Sequence, residues 1–143
     1  HAAMGVQQIK RLDAFLAART RLAECYRHAL SEIDEILLPP VHEYARHAWH
    51  LFMIRLKLDR LTCSRDEIAQ DLRRENIGTG IHFYGMHLHP YFRERFNIDP
   101  QSLPIATQAS ESILSLPLHP QLTPKNVQEV VCALKKVLAY RRK

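Results

Sequence analysis

Trp49-His50-Leu51-Phe52-Met53-Ile54-Arg55-Leu56-Lys57-Leu58 is the stretch on which the fold turns. From Phe52 onward, Ile54, Leu56 and Leu58 are interleaved with Arg55 and Lys57, the period of a half-buried β-strand. One face of this predicted strand meets a core. The other is wet or covered by another domain.

Upstream, residues 3 to about 31 read as one long helix. Val6, Ile9, Leu12, Leu16, Ala23, Tyr26 and Leu30 recur at spacings of three, four and seven, a single helical face. No capping residue precedes it, and the amphipathic pattern is already running at Ala2-Ala3-Met4, as if cut within or just before a helix. His1 is left out of functional reasoning. Pro39-Pro40 ends this segment, because proline blocks a helix and restricts the residue before it.

Downstream, Ser64-Arg65-Asp66-Glu67 has the form of a capping box. The helix it opens carries Ile68 and Leu72 inward and stops near Asn76-Ile77-Gly78, where glycine is expected to supply a left-handed turn. Gly80-Ile81-His82-Phe83 reads as a short second strand, Tyr91 to Phe96 as a helical turn or two, and Pro104 to Glu111 as a short helix rich in small residues. Ile113-Leu114-Ser115-Leu116 is a third strand closed by Pro117. Thr123-Pro124 starts the last helix, with Val127, Val130, Val131, Leu134, Val137 and Leu138 on one stripe. The expected fold class is α+β: a small sheet of about three strands, helices on one face and a long N-terminal helix. The whole chain, residues 1–143, is expected to be one domain, with 1–35 a connecting helix and 45–143 the α+β body.

The polar chemistry gathers in Gly78-Thr79-Gly80-Ile81-His82-Phe83-Tyr84-Gly85-Met86-His87-Leu88-His89-Pro90-Tyr91, which holds three of the four glycines. Loops that concentrate such groups on a rigid scaffold tend to carry function. As a metal site, His82, His87 and His89 lack a helical His-x-x-x-His pair and any clustered cysteine. For proton transfer they lack a carboxylate within the loop. Two readings of His82 stand side by side: a hydrogen-bonding contact to a polar ligand, with Phe83 and Tyr84 as flat surfaces, or a satisfied half-buried residue at a strand end. In His47-Ala48-Trp49-His50, Trp49 reads as packing and His50 as the structural start of the strand.

Much is also absent. No glycine-rich loop opens a helix in the phosphate-cradling pattern, and no serine sits in a nucleophile elbow. None of the six lysines reads as buried enough for Schiff-base chemistry. The net charge of +5 is modest and spread out. Its terminal cluster, Arg141-Arg142-Lys143, reads as a solvated, frayed tail rather than a nucleic-acid patch. No apolar run approaches the ~18 residues of a membrane helix. Cys25, Cys63 and Cys132 have no paired spacing, the usage of a reducing compartment, so a cytoplasmic location is expected.

Four motifs in order carry a resemblance. Ala2-Ala3-Met4-Gly5-Val6-Gln7-Gln8-Ile9-Lys10-Arg11-Leu12 is similar to the helix that follows the large domain of the DegT/DnrJ/StrS sugar aminotransferases, and Trp49 to Arg55 resembles their first small-domain strand. Gly78 to Phe83 with His87 and Tyr91 to Phe96 resembles their characteristic loop. Leu114 to Pro120 with Leu122-Thr123 resembles the third strand and its turn. The likeness covers nearly the whole chain and looks nearest to the UDP-4-amino-4-deoxy-L-arabinose–oxoglutarate aminotransferase branch, which makes the amino sugar used to modify lipid A.

The resemblance implies the C-terminal small domain of a fold-type I, pyridoxal-phosphate-dependent homodimer that moves an amino group from glutamate to a nucleotide-linked keto sugar. The lysine, the acidic partner of the pyridine nitrogen and the phosphate contacts would lie in a large domain that this chain lacks. No catalytic or cofactor-binding residue is therefore expected here, and no bound cofactor, metal, nucleic acid or membrane insertion. By the same resemblance the substrate-facing residues are His82, His87 and Tyr84. Phe83 departs from a common family tyrosine and removes one hydroxyl donor. Two rival readings are a non-catalytic binding module that keeps the fold, and a small metal-dependent protein.

Overall fold

A computed structural model describes all residues 1–143. In chain order the elements are α1 (Ala2–Ile9), α2 (Leu12–Leu30), β1 (Ile36–Leu37), β2 (Phe52–Leu56), α3 (Arg65–Arg74), α4 (Pro90–Phe96), α5 (Pro104–Ser112), β3 (Ile113–Leu116) and α6 (Pro124–Arg141), with single 3-10 turns between some of them. The sheet is antiparallel in the order β1-β2-β3, so the expected α+β class with three strands is what the chain forms.

β2 is the middle strand. Its Phe52, Ile54 and Leu56 are buried while Met53 and Arg55 are half-buried, the alternation the sequence shows. Phe52 pairs with Leu116 and Ile54 with Leu114 on β3, and Leu56 pairs with Ile36 on β1. The buried face meets α2, α3 and α6 in one cluster of 21 residues, including Leu22, Tyr26, Ile68, Leu72, Val131 and Leu134. Tyr26 is fully buried, its ring 4.8 Å from that of Phe52 and its hydroxyl donating to the Pro117 carbonyl at 2.9 Å. On the other side, Arg55 reaches α5, donating to Gln108 Oε1 at 3.1 Å.

Both predicted helix starts are present. Ser64 and Glu67 form a reciprocal capping box, and Thr123 does the same with Asn126. Hydrogen bonds from Ser64 hold the Glu67 carboxyl below its ordinary range.

Several expectations need correction. The long first helix is broken at Lys10-Arg11. Every residue of α1 is exposed, so no packing holds it in line with α2. The predicted strand at Trp49 starts only at Phe52, because Trp49 takes a left-handed φ of 48°. Its ring is nevertheless buried, against His47 and Phe52. His50 is exposed and lies before the strand. The third α3 turn is closed by Asn76 at φ 62°, whereas no glycine in the chain has positive φ.

Gly80 to Phe83 is not a strand. Only Gly80 pairs, exchanging both backbone hydrogen bonds with Ser115, and the chain then leaves the ladder. The missing strand is β1, two residues long. The terminal Arg141-Arg142-Lys143 is not frayed. Thr62 N–H donates to the Arg141 carbonyl at 2.8 Å and Lys143 N–H to the Arg60 carbonyl at 3.1 Å. Arg141 pairs with Asp71 at 2.8 Å, and Arg142 pairs with the buried Glu35.

Candidate functional site

The loop between α3 and α5 leaves the sheet at Gly80 and is tied back at three hydroxyls. His82 Nδ1 lies 2.9 Å from Ser115 Oγ on β3. The Gly85 N–H donates to Ser110 Oγ at 2.7 Å, and His87 Nε2 lies 2.8 Å from Thr107 Oγ1, both on α5. The small polar residues of α5 are therefore anchor points for the loop.

Two glycines make room for the two rings. A Cβ on Gly80 would fall 2.5 Å from His82 Cε1, and one on Gly85 would fall 2.7 Å from His87 Cε1. Each histidine folds back over the glycine two residues before it, so a side chain at either position would have to displace the ring. Gly85 has an ordinary φ of −58°.

The histidines then diverge. His87 is 8% exposed. The Thr107 hydroxyl already lies 2.9 Å from the Pro100 carbonyl, to which it donates its single hydrogen. Thr107 Oγ1 must therefore accept from His87, which places a proton on Nε2. His82 is half-buried, its Nε2 has no partner within the chain, and that nitrogen is not among the fully enclosed unpaired atoms. It reaches solvent. Phe83 and Tyr84, which follow it in the chain, are exposed, Phe83 edge-on to the His82 ring and Tyr84 edge-on to His89. His82 and Tyr84 are thus both accessible on this loop, which forms its rim, while His87 is buried.

Larger clefts lie elsewhere. A groove of about 750 Å³ runs between the start of α2 and the loop after β3, lined by Arg11, Phe15, Arg19, His50 and His119 among others. Arg19 is committed there, its guanidinium donating to the carbonyls of Trp49, His50 and Leu118 at 2.9–3.2 Å. No group of three His, Cys, Asp or Glu side chains is placed to hold a metal ion. Of the six lysines, Lys57 is half-buried and the other five are exposed. This chain's own residues therefore do not fit covalent capture of pyridoxal phosphate in a closed pocket.

The Ser115, Ser110 and Thr107 anchors escape a reading that looks for charged or aromatic groups. The available signal was the repeated Gly-x-His at 80–82 and 85–87.

A model of the DegT/DnrJ/EryC1/StrS aminotransferase family matches residues 1–135. The chain belongs to this family. Among its relatives, the spore coat polysaccharide biosynthesis protein SpsC of Bacillus subtilis is 35% identical over 138 residues, covering 96% of this chain and 36% of SpsC. The aminotransferase TlmJ from Streptoalloteichus hindustanus superposes with a TM-score of 0.83 at 28% identity, over 97% of this chain and 36% of TlmJ. DesV of S. venezuelae gives 0.82 at 29% identity, over 94% of this chain and 35% of DesV. The chain thus spans about a third of the length of the DegT/DnrJ/EryC1/StrS relatives it matches. None of its helices is long and apolar enough to cross a membrane.

Proposed function

We propose that this chain is the C-terminal small domain of a longer pyridoxal-phosphate-dependent aminotransferase that transfers the amino group of glutamate to a nucleotide-linked keto sugar, in cell-envelope or other polysaccharide synthesis. The observation that carries it is the solvent-facing, unpaired Nε2 of His82 on a loop fixed at Ser115, Ser110 and Thr107. Membership of a sugar aminotransferase family and the place of SpsC in spore coat polysaccharide biosynthesis support the substrate class.

In this reading the cofactor, held by the rest of the longer protein, supplies the amine-transfer chemistry. His82 and Tyr84 present polar contacts to the sugar ligand, and His87 keeps their loop in place from below. Phe83 and Met86, 77% and 65% exposed, give the rim apolar surface that excludes water once covered. The uncovered Met4, Val6, Ile9 and Leu12 on α1 and α2 fit a chain built to pack against further protein, in a homodimer working in the cytoplasm.

The test is steady-state kinetics of the longer protein with glutamate and a nucleotide-linked 4-keto sugar, with amino-sugar product detected by mass spectrometry. His82→Ala should raise the KM for the keto sugar about tenfold, the effect of one lost polar contact, with the KM for glutamate unchanged. Turnover by the 143-residue chain alone, or an unchanged sugar KM, would sink the proposal.

A further inference from the structure

His82 has two ring nitrogens with different surroundings. Nδ1 faces Ser115 Oγ at 2.9 Å, and Nε2 has no partner within the chain and is not fully enclosed. Ser115 is 4% exposed and held on both backbone sides, by β2 through its pairing with Met53 and by Gly80. Its hydroxyl makes no hydrogen bond other than the one to His82.

A serine hydroxyl has one hydrogen to donate. If His82 carried its proton on Nδ1, that nitrogen would donate to Ser115, and the buried hydroxyl hydrogen would have no acceptor. If the proton sits on Nε2, Ser115 donates to Nδ1 and every group at the contact is satisfied. A buried donor without an acceptor is disfavoured by about tenfold or more in population. We infer that Ser115 is a positioning residue that fixes His82 as its Nε2–H tautomer, so that the loop presents a hydrogen-bond donor to an acceptor oxygen of the ligand, a sugar hydroxyl or a phosphoryl oxygen. His87 reaches the same protonation pattern by the opposite route, donating Nε2–H inward to Thr107, so the two rings are not interchangeable.

This rests on the reading of His82 as ligand-facing, and two measurements separate the claims. The first is ¹⁵N NMR of histidine-labelled chain at a pH where the ring is neutral, which reports the protonated nitrogen directly and needs no variant. The wild-type chain should show His82 protonated at Nε2, Ser115→Ala a mixture of both tautomers, and Ser115→Thr, which keeps the hydroxyl, the wild-type pattern. A wild-type signal from Nδ1–H, or no change in Ser115→Ala, overturns the inference whatever the ligand.

The second is kinetics of the longer protein. Ser115→Ala should raise the keto-sugar KM about fivefold with kcat within about twofold, and Ser115→Thr should restore it. If His82→Ala raises that KM and Ser115→Ala does not, the inference fails and the functional reading stands. If neither raises it, both fail.

Discussion

Gly80-Ile81-His82 and Gly85-Met86-His87 are two copies of one local device, a ring laid over the glycine two residues earlier and tied to a hydroxyl. They differ in which ring nitrogen is tied and in how deeply the ring is sunk. His82 uses Nδ1, is half-buried and leaves Nε2 to solvent. His87 uses Nε2 and is buried. The same three-residue pattern therefore serves once as a rim and once as a foundation. A histidine in a loop is assigned by the partner of each nitrogen, and the residue type alone does not decide it.

The comparison can be broken most forcefully at the buried copy. Gly85→Ala drives a methyl to within 2.7 Å of the His87 ring and 3.3 Å of Ser110 Oγ. It should lower stability by about 1–3 kcal/mol, the range for overpacking a filled site, read by urea denaturation. Gly80→Ala makes a nominally closer contact, at 2.5 Å, yet should lose less, because the half-buried His82 ring can swing toward solvent. The reverse ranking would break the distinction.

Next in size is Thr107→Val, which keeps the shape but removes the acceptor for His87 and the donor to Pro100. It should cost about 1–2 kcal/mol and increase amide exchange across 85–89. His82→Ala should change stability by about 1 kcal/mol or less, while carrying the larger effect on sugar KM.

The smallest effect sharpens the comparison from a carboxylate that lies outside both units. Hydrogen bonding to Arg141 and its charge hold the Asp71 carboxyl below its ordinary 3.8, with a lesser contribution from Arg74. The unfolded chain therefore takes up the proton at a higher pH than the folded one. This contribution is complete above the ordinary carboxylate range and is lost as pH falls through the lowered value. Asp71→Asn should flatten the acid limb of a stability-against-pH curve below about pH 4. Thr107→Val should displace the whole curve and leave that limb's slope unchanged.

What was legible in the sequence was what local chemistry decides. Ser64 with Glu67, and Thr123 with the proline after it, mark helix starts because their bonds close within one turn. The alternation through Ile54 and Leu56 marks a strand because a sheet face must be buried. β1 was not legible, since two residues hold no period and Ile36 is placed by Leu56, twenty residues away. Gly80 to Phe83 imitated a strand because Ile81 and Phe83 alternate with polar neighbours, yet both are exposed, at 39% and 77%. At the candidate site, the histidines and Tyr84 stood out by composition. Their division into rim and support depends on Ser115 and Thr107, which lie 33 and 20 residues from the rings they hold.

The tail of the chain changes what its formal charge means. Arg141 faces Asp71, Arg142 faces Glu35, and the Lys143 ammonium donates to the Asp59 carbonyl. Two of the three terminal cations are therefore paired with carboxylates, while Lys143 meets only a neutral carbonyl. Within a Debye length of roughly 10 Å, an approaching polyanion would meet these carboxylates along with the cations, a mixed field where a simple count of residues suggests a basic arm.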